Sequence, residues 1–133
     1  DCNNGKNNFN LGLYYYQQSQ WSSSLSFFLR AAEIDSDEEL IYESLLFVAK
    51  CLSNLGRRKT TELSLWNNAV RFCPTRPEAY LFISQYYESF GKYSESQSFA
   101  KIGLEFKENH VPLNSELGYF HYYQLLFQEA ICL

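Results

Sequence analysis

The sequence predicts an all-α fold, a right-handed α-solenoid of three helix hairpins followed by a longer C-terminal helix, about seven helices in all. Three observations predict it. Apolar residues recur at spacings of three and four, with no stretch of strict alternation. The pattern that starts at Leu11 returns 72 residues later, where Leu11, Tyr15, Trp21, Ser24, Ala31 and Ile34 meet Ile83, Tyr87, Tyr93, Ser96, Gly103 and Phe106. Gly56 and Gly91 fall where the first helix of a pair must end, as left-handed C-caps.

The elements follow in order. A helix over 5–18 carries Leu11 and Tyr15, and a partner over 21–34 presents Leu25, Phe28 and Ala31/Ala32 as one buried stripe. A third helix over 37–55 opens on a capping box, Ser36-x-x-Glu39, and a fourth spans 59–73. This middle pair is a copy of the first in two registers. Leu45 and Ala49 lie 34 residues beyond Leu11 and Tyr15, whereas Trp66, Ala69 and Phe72 lie 38 beyond Phe28, Ala31 and Ile34. Four extra residues, about one helical turn, therefore enter between Ala49 and Lys59. The fifth helix, 77–90, starts on Thr75-x-x-Glu78 with Pro77 in its first turn, where a missing amide is harmless. The sixth, 93–107, starts on Ser94-x-x-Gln97, and a seventh runs over 114–133. A single hairpin cannot bury both its faces, so stacking supplies the common core.

The 133 residues suit one domain, and the 46% hydrophobic and 18% aromatic content excludes a disordered chain. With 11 basic against 15 acidic residues the net charge is −4, without the excess of cations that a nucleic-acid face needs. No run is apolar for long enough to cross a membrane, and the first residues lack the plan of a signal peptide. A cytoplasmic protein is expected. The lack of Met and the end within Glu129-Ala130-Ile131-Cys132-Leu133 suggest a piece of a longer chain. Cys2, Cys51, Cys73 and Cys132 form no close pair, and only His110 and His121 accompany them, so no metal is expected; Cys51 and Cys73 read as small core residues.

The sequence resembles a tetratricopeptide repeat (TPR) array. Leu11-Gly12, Tyr15, Trp21, Ser24, Phe28 and Ala31 stand in the family's places in the first copy. Tyr80, Ile83-Ser84, Tyr87, Gly91, Tyr93, Ser96, Ala100 and Gly103 do so in the third. The second copy matches through Tyr42, Leu45, Ala49, Trp66, Ala69 and Pro74 but carries Leu46 where the family has a small residue. The resemblance implies one TPR-like domain across 1–133, with repeats at about 5–38, 39–76 and 77–110. A second resemblance rests on Arg76-Pro77-Glu78-Ala79-Tyr80, Tyr86-Tyr87, Phe99-Ala100-Lys101-Ile102-Gly103-Leu104 and the stretch from Tyr122 to Leu133. These segments are similar to helical-repeat regions that follow family-2-type glycosyltransferase domains, which implies an accessory role beside a catalytic domain of the same chain.

No phosphate loop, HExxH or GxSxG occurs, so the segment itself is not expected to be an enzyme and no cofactor is implied. The TPR resemblance places a partner-binding groove along the first helix of each repeat. Matching positions are Phe9, Asn10, Leu13, Tyr16 and Gln17, then Glu78, Leu81, Phe82, Gln85 and Glu88. Phe9, Leu13, Glu78 and Phe82 replace the basic and Asn clamp of the chaperone-tail-binding subfamily, which argues against a C-terminal-peptide clamp. The expected function is a scaffold for protein–protein or interdomain contact. Alternatives are a purely intramolecular structural domain or a module that stacks an acceptor glycan on its rings. Tyr15, Trp21, Phe28, Trp66, Tyr80, Tyr87 and Tyr93 are expected to be packing residues, and the apolar helix over 114–133 a site of self-association.

Overall fold

The computed structural model describes residues 4–56 and 58–106. Among them are α1 (Gly5–Gln17), α2 (Trp21–Ile34), α3 (Glu38–Asn54), α4 (Lys59–Phe72), α5 (Glu78–Ser89) and α6 (Tyr93–Glu105). No strand occurs among the described residues. The helix expected over 114–133, its proposed self-association, and the readings of Cys2, Cys132, His110 and His121 lie outside them. The chain divides into two compact units, Asp1–Cys73 and Pro74–Leu133.

In the first unit, α1 packs on α2, α2 on α3 and α3 on α4, while α1 also reaches α3. Most of the insertion in the middle copy emerges as helix: α3 runs on to Asn54, past Cys51, the counterpart of the last residue of α1, and the turn to α4 takes the remaining residue. In α3, Leu40, Ile41, Tyr42, Leu45, Leu46, Phe47, Val48, Ala49 and Cys51 are all buried. Cys51 donates toward Ser24 Oγ at 3.5 Å, and burial pushes its thiol pKa up, so it behaves as a core residue rather than a nucleophile.

Hairpin contacts repeat with the sequence period. In the first, Ser24 Oγ donates to the Gly12 carbonyl at 2.8 Å, and a Cβ on Gly12 would stand 2.8 Å from the Phe28 ring. The glycine is therefore a close-approach residue. Seventy-two residues on, in the second unit, Ser84 Oγ donates to the Ser96 carbonyl at 2.8 Å, with the two hydroxyls 3.0 Å apart. The middle hairpin breaks this rule. Glu62, which stands 38 residues beyond Ser24, occupies the small-residue place and is buried. Desolvation raises its carboxyl pKa, opposed by Lys59 and Lys50. Folded Glu62 thus holds its proton to higher pH than an unfolded glutamate does, and stability falls as pH rises from the ordinary carboxylate range through the raised value. Glu62→Gln is expected to gain on the wild type toward neutrality, read by urea unfolding across pH; parallel curves for the two proteins would refute the assignment.

The hairpin turns are closed in the way the glycines imply. Gly91 has φ +74°, its amide donates to the Glu88 carbonyl at 3.0 Å and Lys92 donates to Tyr87 at 3.0 Å, a complete Schellman turn. Gly56 has the same φ, and its amide donates to Ser53 at 3.1 Å. The first hairpin makes the Schellman pair with Ser19 at φ 59°, through Ser19 to Tyr16 and Gln20 to Tyr15, both at 3.0 Å. A side chain in the left-handed region is strained, so Ser19→Gly is expected to stabilise by about 0.5–1 kcal/mol. The check is an upward shift of the thermal midpoint, and an unchanged or lowered midpoint would contradict it.

The helix starts depart from the sequence expectation. Asn4 caps α1, its Oδ1 accepting from the Asn7 amide at 3.0 Å. Asp37, not Ser36, caps α3, accepting from Glu39 at 3.0 Å, because Asp35 Oδ1 turns the chain by accepting from the Asp37 amide at 2.7 Å. At α5 the cap position is Pro77 itself, with no side-chain cap, and Glu78 is drawn instead to Arg76. Ser94 lies inside the first turn of α6, because the tight turn after Gly91 already starts that helix at Tyr93.

Candidate functional site

The two halves of the expected groove fall in different units, and each is described by itself. In the first, Asn10 and Gln17 are exposed on α1 and Leu13 is half-buried. Phe9 and Tyr16 are not groove residues: they are 4% and 9% exposed. Phe47 explains the difference. Its ring stands edge-on to Phe9 at 5.8 Å and to Tyr16 at 5.5 Å, and stacks on Phe28 at 4.7 Å, so α1, α2 and α3 close on one aromatic cluster. Trp21 extends it by meeting Tyr16 at 5.1 Å.

In the second unit Phe82 and Gln85 are half-buried and Glu88 is exposed on α5, whereas Leu81 is buried. Glu78 is also buried, which corrects its reading as a groove carboxylate. It accepts from Arg76 Nε at 3.2 Å and Nη2 at 3.1 Å. Of the rings expected to pack, Phe28 and Tyr80 are buried and Tyr15, Trp21, Trp66 and Tyr87 half-buried. Tyr93 is not a packing residue. It is 64% exposed, because it opens α6 directly after the Gly91 turn. The structure also adds a counterpart pair: Tyr15 stacks on Phe27 at 5.4 Å and its match Tyr87 stacks on Phe99 at 5.6 Å, so Phe27 and Phe99, also 72 residues apart, share one role.

A cleft of about 420 Å³ lies in the first unit, walled by α2 and α4 and floored by α3. Helical spacing builds each side. Leu29, Ala32 and Glu33 form one face of α2; Asn68, Arg71 and Phe72 form one face of α4; Ile41 and Leu45, four apart, are the floor. Leu29 and Phe72 remain 39% and 37% exposed at the rim. Glu33, Asn68 and Arg71 make no hydrogen bond or ion pair among the described residues. Sequence reasoning missed this cleft because a rim residue and a core residue share the same apolar spacing.

Nothing among the described residues forms a metal-binding group of His, Cys, Asp and Glu, and no described helix is long and apolar enough to cross a membrane. Cys73 is a packing thiol that donates toward the Glu38 carbonyl at 3.7 Å.

The hairpins, their glycine turns and their small-residue contacts define a TPR-like all-α repeat. No protein-family model and no curated protein matches the chain in sequence. Solved structures do match in fold. The crystal structure of PcrH in complex with the chaperone-binding region of PopD aligns over 96% of this chain and 90% of that one, at a TM-score of 0.70 and 12% identity. The crystal structure of MamA protein aligns over 97% of this chain and 68% of that one, at 0.65 and 15%. Neither is the structure of a glycosyltransferase, and the parentage implied by the second sequence resemblance gains no support from them.

Proposed function

We propose that this chain is a non-catalytic helical-repeat scaffold that holds a segment of a partner protein. The observation that carries the reading is the cleft between α2 and α4, where apolar side chains remain partly exposed beside three polar groups that make no hydrogen bond or ion pair among the described residues. Such a combination suits a peptide, whose apolar side chain fills the trough while its backbone and polar groups pair with the walls. The likeness to PcrH, solved with a bound region of PopD, supports a protein segment as the class of ligand. Asn10, Leu13 and Gln17 on α1 and Phe82, Gln85 and Glu88 on α5 are further candidate contacts.

The test is selection of peptides from a random display library on the purified chain, followed by binding to Leu29→Asp and Phe72→Asp variants. Both side chains are partly exposed at the rim, so each variant is expected to stay folded, checked by its thermal midpoint. Selected peptides are expected to lose at least tenfold in affinity, about 1.4 kcal/mol, against either variant. A library that yields no peptide, or peptides indifferent to both changes, would overturn the reading.

A further inference from the structure

We infer that the cleft between α2 and α4 takes a basic amphipathic segment of the partner, with a bulky apolar side chain seated between Leu29 and Phe72 and a Lys or Arg set against Glu33. The inference rests on the scaffold reading and deepens it. The apolar half of the argument is the trough itself, with buried Ile41 and Leu45 at its floor and Leu29 and Phe72 partly exposed on its two walls.

The charge half comes from the α2 wall and the turn that follows. From Glu33 to Glu39 the chain carries Glu33, Asp35, Asp37, Glu38 and Glu39, five carboxylates in seven residues with no cation. Four of them have local work: Asp35 and Asp37 accept backbone amides, and Glu38 and Glu39 lie in the first turn of α3, where the helix dipole favours them. Glu33 has none. It stands in the last turn of α2, where the dipole disfavours a carboxylate, and that turn holds no basic residue. A cation from a partner would relieve this misplacement and meet the carbonyl end of α2 at the same point.

The opposite wall gives the segment a direction. Arg71 closes α4, where its charge suits the helix terminus, and it repels a second cation from that side. The field across the trough therefore runs from negative at α2 to positive at α4, and a segment with its basic residue on one flank of the apolar anchor fits in one orientation.

The experiment compares two fluorescein-labelled amphipathic peptides with identical apolar positions, one with a Lys/Arg polar face and one with a Glu polar face, by fluorescence anisotropy. The basic peptide is expected to bind at least about tenfold more tightly at low salt and to weaken as salt rises. Glu33→Lys is expected to erase that preference, and Glu105→Lys, on exposed α6 surface, to leave it intact. Leu29→Asp is expected to abolish binding of the basic peptide. Equal or tighter binding of the acidic peptide, still lost in Leu29→Asp, would overturn the charge assignment while the scaffold reading stands. Basic-peptide binding that ignores both Leu29→Asp and Glu33→Lys would overturn the inference as non-specific attraction. Failure of both peptides would overturn it too, and the display selection then decides separately whether the scaffold reading survives. Flotation with phosphatidylserine vesicles, or dimerisation in sedimentation, that disappears in Leu29→Asp would give the cleft to a membrane or a second copy and equally sink the inference.

Discussion

Phe47→Ala is expected to destabilise the Asp1–Cys73 unit by about 3–5 kcal/mol, a large fraction of what a domain of this size possesses. The ring is fully buried and lies where three helices converge, stacked on Phe28 at 4.7 Å and edge-on to Phe9 at 5.8 Å and Tyr16 at 5.5 Å. Truncation removes the transfer energy of the ring and leaves a void that stiff aromatic neighbours on three backbones cannot fill. Each ring pair adds about 0.5–1.5 kcal/mol beyond area. Phe47→Leu, which keeps most of the volume, is expected to lose less than half as much. Urea unfolding of both variants checks the ordering, and a loss under about 1 kcal/mol for the alanine would show that the cluster is not the centre of the unit. The same result bears on function. Phe9→Ala and Tyr16→Ala are expected to lower stability through this cluster, so any loss of partner binding in them should track the thermal midpoint rather than stand apart from it.

Helix positions were legible because they depend on local information. The three- and four-residue spacing places α1 to α6 within a residue or two of the expected bounds, and the two glycines mark turns that need a left-handed backbone. The four-residue insertion falls between Ala49 and Lys59, as the two registers imply, most of it lengthening α3 and the rest the turn before α4. Capping was less legible. Ser36, Thr75 and Ser94 have the right chemistry at the right spacing, but the turn before each helix decides which residue reaches the free amides. Groove against core was least legible of all. Phe9 sits at a family groove position and is buried because Phe28 meets it at 5.4 Å within the hairpin and Phe47 of the next repeat reaches it at 5.8 Å. The second of these contacts joins residues 38 apart in the chain, and no single-position reading contains it. The cleft escaped for the converse reason: Leu29 and Phe72 look like core residues until the distance between α2 and α4 is known.

Arg76→Ala is expected to cost about 3–5 kcal/mol, although it removes a charged side chain. Arg76 and Glu78 are 4% and 0% exposed, joined side-on by two charge-assisted hydrogen bonds of 3.2 and 3.1 Å at the entry to α5. Removing the guanidinium leaves the Glu78 carboxylate desolvated and without its bidentate partner, and that penalty is larger than the net value of the intact pair. Glu78→Gln is expected to hurt less than Glu78→Ala, because an amide oxygen still accepts one of the two bonds. The decisive comparison is the double change Arg76→Met with Glu78→Leu. If the pair serves mainly to stabilise, the double variant loses at least as much as the worse single variant; if its desolvation offsets its attraction, as physical estimates for buried pairs indicate, the double variant recovers most of the single-variant loss. Recovery is the expected result, because Pro77 already fixes the backbone between the two residues and α5 opens without a side-chain cap to lose. A double-mutant cycle by denaturant unfolding measures the coupling directly. Failure to recover would mean that the pair is needed to aim α5, an orienting role that apolar replacements of similar size cannot take over.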